Sequence, residues 1–143
     1  MENLIVRKDI EIDVSPARIW EILVNPEYIR LWDELPEDFG NDALELDTKI
    51  LWEMADKYVR LTVIKYEPPK VLQLALYSSE WKLPLTPGDI AYNYSISEGD
   101  GYCLLTISIG DFGYLPDGQK YYDESVKFAN KALQKIKELA EGS

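Results

Sequence analysis

The chain has 143 residues, no histidine, one cysteine and a formal charge of −11. Twenty-six acidic against fifteen basic residues repel phosphate backbones and anionic lipid surfaces, so nucleic-acid binding is not expected. Without histidine there is no Ser/His/Asp or Cys/His relay, and the single thiol permits neither an intramolecular disulfide nor a tetrahedral zinc site. At the N-terminal end, Leu4 to Val14 finishes in strict alternation, with Ile10, Ile12 and Val14 set against Asp9, Glu11 and Asp13. That is the pattern of a strand with one face in the core and one in water.

Ser15-Pro16 then starts a helix, a capping hydroxyl followed by proline at the first helical position, and Ile19, Trp20, Ile22 and Leu23 form its apolar face. Asn25-Pro26 repeats the device and opens a second short helix, Glu27 to Trp32. From Asp33 to Asp47 the chain is acidic and irregular, with Leu35 and Phe39 as anchors. Its carboxylates Glu34, Glu37, Asp38 and Asp42 lack calcium-loop spacing and read as a solvated face.

Strands follow. Ile50, Trp52 and Met54 share one face; after the turn Ala55-Asp56-Lys57, Val59, Leu61 and Val63 alternate against Tyr58, Thr62, Ile64 and Tyr66. Pro68-Pro69 ends that strand, and Val71 to Tyr77 begins another with Leu72, Leu74 and Leu76 together. Ser78 to Asp89 interrupts the strands with Trp81, Leu83 and Leu85, an apolar content that suggests a pocket rim. Ile90, Tyr92, Tyr94 and Ile96 then pair across Gly99-Asp100-Gly101 with Cys103, Leu105, Ile107 and Ile109. Cys103 lies in an apolar run and reads as a packed, inert thiol.

After Phe112, Tyr114 and Leu115 comes one long amphipathic helix, Asp117 to Ala140. Its stripe is Tyr122, Val126, Ala129, Leu133, Ile136 and Ala140, widened by Tyr121, Phe128, Ala132 and Leu139, with Gly142 at its end. Strand, two short helices, a meander of about five strands and a long helix make an α+β chain of one domain, residues 1–143. The expected architecture is a curved antiparallel sheet of about six strands wrapped on the C-terminal helix, a helix grip. No run approaches the ~18 apolar residues of a membrane span, and Met1-Glu2-Asn3-Leu4 lacks signal-peptide features. A cytoplasmic protein without membrane insertion is expected.

These residues resemble the START-like superfamily. Ser15-Pro16 with Ile19-Trp20, then Asn25-Pro26-Glu27 and Trp32, look like its opening, particularly in the Aha-type activators of the heat-shock chaperone ATPase. Leu61 to Leu72, with Glu67-Pro68-Pro69-Lys70-Val71-Leu72, is similar to the family's strand, proline turn and strand. The Gly-Trp pair that often opens the last helix in Aha-type members is absent, Tyr121-Tyr122 standing nearest. The resemblance implies a domain built around a hydrophobic cavity, used by relatives for lipids, polyketides, plant hormones or chaperone contact.

Three functions follow as expectations. The first is binding of a small apolar ligand, lipid-like or polycyclic, between sheet and helix, with Trp32, Trp52, Leu74, Leu76, Trp81, Tyr92, Tyr94, Phe112, Tyr122 and Val126 as wall or rim. The second is a protein-interaction module of the Aha type. The third is a cyclase-like enzyme, which without histidine would rely on Tyr, Asp, Glu or Lys as acid or base. No residue pattern points to a catalytic set, a metal or a cofactor. With no histidine, ligand binding is expected to vary little between about pH 6.5 and 8.

Overall fold

The computed structural model describes residues 3–82 and 85–142. Leu83, grouped above with Trp81 and Leu85, lies outside them. The described elements run β1 (Val6–Ile12), α1 (Pro16–Val24), α2 (Pro26–Trp32), β2 (Lys49–Glu53), β3 (Tyr58–Glu67), β4 (Val71–Ser78), β5 (Ala91–Glu98), β6 (Cys103–Gly110), a short 3-10 turn (Phe112–Tyr114) and α3 (Gly118–Glu141). Both short helices start where the caps predict. The Ser15 hydroxyl accepts from the Arg18 amide, the Asn25 side chain accepts from the Glu27 amide at 3.0 Å, and proline opens each helix.

All six strands form one antiparallel sheet in the order β1-β6-β5-β4-β3-β2. The meander accounts for every neighbour except β1, which returns to the far edge to pair with β6, Val6 opposite Ile109 and Ile12 opposite Cys103. In β6 burial alternates along the whole strand, and Cys103, Leu105, Ile107 and Ile109 all face the core.

Two details of the strand reading change. Met54 lies beyond β2 and is 44% exposed, so only Ile50 and Trp52 of that trio point inward. In β3 the register shifts between Val63 and Lys65, so the extra residue puts Tyr66 on the same face as Val63 rather than opposite it. Tyr66 pairs with Leu72 and meets the Trp20 ring edge-on at 5.4 Å. A bulge cannot be read from alternation, because it is the place where alternation fails.

α3 closes the core. Ala129, Ala132, Leu133, Ile136 and Ala140 are buried, and the backbone of α3 comes close to β1, β6 and α1. Its C-terminal turns are tied down: the Asp13 amide donates to Glu141 at 2.9 Å, Lys137 to the Glu11 carbonyl at 2.6 Å, and Arg18 to the Leu139 carbonyl at 3.3 Å. At the other end glycine is required. A Cβ on Gly118 would collide with the carbonyl oxygen of Phe112, so only glycine lets α3 begin this close to the 3-10 turn.

Candidate functional site

Between α2, α3 and the concave side of β2–β5 the side chains leave a cavity of about 330 Å³, at the lower end of the ~300–1,000 Å³ usual for ligand pockets. Its walls are mainly apolar. Leu23, Ile29 and Leu44 close one side, Ile50, Leu61, Leu72 and Leu74 form the sheet floor, and Tyr121 and Phe128 of α3, with Phe112 stacked on Tyr121, form the helix side. The mouth is bordered by Leu35, Trp52 and Val59, with the exposed carboxylates Glu34 and Glu124. Trp52 and Val59 also line a shallower groove outside with Pro36, Glu37, Asp38 and Met54, so the segment after α2 and the edge strand β2 flank the entrance.

Seven of the ten residues singled out from sequence line this cavity: Trp32, Trp52, Leu74, Leu76, Tyr92, Tyr94 and Phe112. Three do not. Trp81 packs behind the cavity, its indole N–H donating to the Tyr121 hydroxyl at 3.3 Å and its ring edge-on to Tyr77 and Tyr121. No described residue between 78 and 89 lines the cavity, so that segment is not its rim; Leu85 packs on the core instead. Tyr122 and Val126 are half-buried against the core, while the positions of α3 that border the cavity are Tyr121, Glu124, Ser125 and Phe128. The core stripe itself holds, with Ala129, Leu133, Ile136 and Ala140 all buried; only at the N-terminal end of α3 does the cavity take the neighbouring positions instead of Tyr122 and Val126. Tyr121 and Phe128, placed on the stripe's flank, mark the side that faces the empty space.

Asp33 is the residue that reading the sequence missed. It follows the buried Trp32, whose indole N–H donates to the Ile22 carbonyl at 2.9 Å, and it caps the C-terminus of α2 with its own amide on the Ile29 carbonyl at 2.7 Å. A carboxylate there meets the negative end of the helix dipole, an unfavourable placement that was the one available signal. Asp33 lines the cavity. Burial carries its carboxyl up to about 6; the Glu34 amide pulls the other way by donating to it, and the Glu34 charge pushes it further up.

Two phenols share this corner. Tyr92 and Tyr94 are raised above the usual tyrosine range, first by burial and then by the Asp33 charge. Their rings are held edge-on, Tyr94 to Trp32 at 6.0 Å and Tyr92 to Phe128 at 5.8 Å. The arrangement is a mostly apolar cavity with one acidic, hydroxyl-bearing corner. Asp33 also brings a titration to the lower edge of the pH window expected to be silent.

Cys103 is elsewhere, buried in β6 with its thiol donating to the Val14 carbonyl at 3.1 Å. Burial, then the Glu98 charge, raise its pKa, which keeps it protonated and unreactive.

No family model matches the sequence, and no curated protein matches it. Solved structures do match in shape. A protein from Mesorhizobium loti superposes over 97% of this chain and 98% of its own, with TM-score 0.75 and 16% identity. The Aha1 dimer from Colwellia psychrerythraea matches over 93% of this chain and 97% of its own, with TM-score 0.61 and 14% identity. DynU16, a putative protein of the dynemicin biosynthetic locus, matches 99% of this chain with TM-score 0.65 and 15% identity, and this chain spans about half of it, 49%. These likenesses show the fold alone, a helix grip in which one curved antiparallel sheet is wrapped on a long C-terminal helix. Among the described residues no helix is long and apolar enough to cross a membrane.

Proposed function

We propose that the protein binds a small apolar molecule in the cavity between the sheet and α3. One observation carries this reading: aliphatic and aromatic side chains from eight elements, α1, α2, β2, β3, β4, β5, the 3-10 turn and α3, border about 330 Å³ that they do not fill. Close-packed interiors rarely leave such a volume, and apolar walls gain roughly 25 cal/mol per Å² when a ligand removes their surface from water. A fluorescent apolar probe titrated into the purified protein should bind saturably and quench or shift the emission of the cavity tryptophans. Native mass spectrometry should find a co-purified small molecule in part of the population. A protein that binds no probe and carries no ligand would refute the reading.

Asp33 supports a second reading, a histidine-free acid–base enzyme, because a carboxyl at about 6 in a mostly apolar cavity can hold or release a proton near neutral pH. Bound molecules recovered chemically unchanged after long incubation would exclude it.

A further inference from the structure

The charge that lines the cavity has one sign. Asp33, Glu34 and Glu124 contribute carboxyls, and among the described residues no lysine or arginine lines it. The groove at its mouth adds Glu37, Asp38 and Glu53. Arg30 borders the outer edge, but its guanidinium is committed to the Asn41 side chain at 3.0 Å and the Gly40 carbonyl at 2.7 Å.

Tyr94 supplies an independent observation. It is 4% exposed, lines the cavity, and makes no hydrogen bond through its hydroxyl to any described residue. No buried side-chain polar atom among the described residues is both occluded and unpaired, so this hydroxyl opens onto the cavity. A phenol hydroxyl that meets no protein partner, beside a carboxyl partly withdrawn from water, is the polar contact a ligand would find in an otherwise greasy site.

We propose that the cavity selects an apolar molecule bearing a protonated amine, with its body on the aliphatic and aromatic walls and its ammonium between Asp33, Tyr94 and the Trp32 ring. This inference rests on the cavity-binding reading above and adds the chemical class of the ligand. An ammonium offers donors to the Asp33 carboxylate and attraction to ring faces, the combination by which aromatic cages hold cations. A carboxylate ligand would add a like charge where no described lysine or arginine lines the wall. An alcohol could use Tyr94 but would leave the Asp33 charge unpaired. The upward shift of Asp33, caused by burial, is what an approaching cation would reverse.

Decylamine, decanol and decanoate, equal in chain and different in head group, test this when each displaces the fluorescent probe near neutral pH. Decylamine should bind about ten-fold or more tighter than decanol, the usual worth of a hydrogen bond to a charged partner, and decanoate should bind weakest. Asp33→Asn should erase the amine's advantage and leave decanol within about two-fold, since the apolar contacts persist. Should that variant fold poorly, Tyr94→Phe keeps the ring and should weaken decylamine about two- to ten-fold; unchanged affinity would count against the proposal. If none of the three displaces the probe, the cavity reading itself fails. If decanol binds but decylamine binds no tighter, or decanoate binds tightest, the cavity reading stands and the amine inference falls. An amine preference that survives Asp33→Asn and vanishes with added salt would be attraction to the acidic surface, and would also overturn it.

Discussion

Along the C-terminal half of α3 the buried side chains are Ala129, Ala132, Leu133, Ile136 and Ala140, and the helix backbone lies close to β1 and β6. Along the N-terminal half, Tyr121, Ser125 and Phe128 face β2–β5 across the cavity. Three alanines let the helix sink onto one flank of the sheet. On the other flank two large rings and a small hydroxyl prop the layers apart without filling the space between them. Packing and vacancy are thus neighbours on one helix, decided by side-chain size rather than by hydrophobicity.

Leucines on the two flanks sharpen the comparison most. Leu133→Ala should cost about 2–5 kcal/mol in denaturant unfolding, because it opens a void in close packing. Leu74→Ala, equally inaccessible at 4% but already facing the cavity, should cost about half as much, since Leu74 has fewer contacts to lose. Equal losses would mean that the cavity wall is as tightly packed as the alanine flank.

Filling the vacancy should affect binding instead of stability. Ser125→Phe points a ring into the cavity and should weaken the apolar probe by more than about ten-fold, with unfolding changed by less than about 1 kcal/mol. Probe binding that survived this change would place the probe elsewhere.

Asp33 gives a smaller effect with a definite sign. The folded state holds its proton up to about pH 6, the unfolded chain only to about 3.8, so ionised Asp33 costs stability above pH 6 and the cost lifts as pH falls toward 3.8. Burial causes most of this shift and the Glu34 charge adds to it, while the solvent at the mouth limits the penalty to about 1–2 kcal/mol. Asp33→Asn should therefore raise the melting temperature at pH 7 and remove this part of the pH dependence. A melting temperature lowered by the substitution would show a carboxylate that is already well paired. The smallest effect belongs to Cys103→Ser, which keeps a donor to the Val14 carbonyl and should leave probe binding unchanged; fast labelling of the native thiol would contradict its burial.

The fold was legible because its signals are local. Ser15-Pro16, Asn25-Pro26 and Gly99-Asp100-Gly101 each announce a boundary within a few residues, and alternation from Cys103 to Ile109 states which side is inside. The site was only partly legible, since apolar periodicity says that a residue turns inward but not whether anything meets it there. Leu74 and Leu133 look alike in sequence, and Tyr121 and Tyr122 are adjacent tyrosines, yet one of each pair borders the cavity. Trp81 shows the converse, a large aromatic in a proline-bearing segment that serves to hold Tyr121. Asp33 escaped because it stood among other acids, and its place at the end of α2 is a weak signal that the fold turns into a position in the cavity wall, unlike the solvated Glu37 and Asp38.

The pairing of β1 with β6 also bears on how the chain reaches this state. Of the six strands of this sheet β1 is made first, but β6, the strand it pairs with among the described residues, is made last, with the whole meander between them. Closing so long a loop carries an entropic penalty that local hairpins do not, so β2–β6 can assemble by successive neighbours while β1 waits. During synthesis Ile10 and Ile12 are therefore apolar side chains without a strand to lie beside. The alternating Asp9, Glu11 and Asp13 keep that waiting segment charged, a guard against pairing with the wrong edge before β6 arrives.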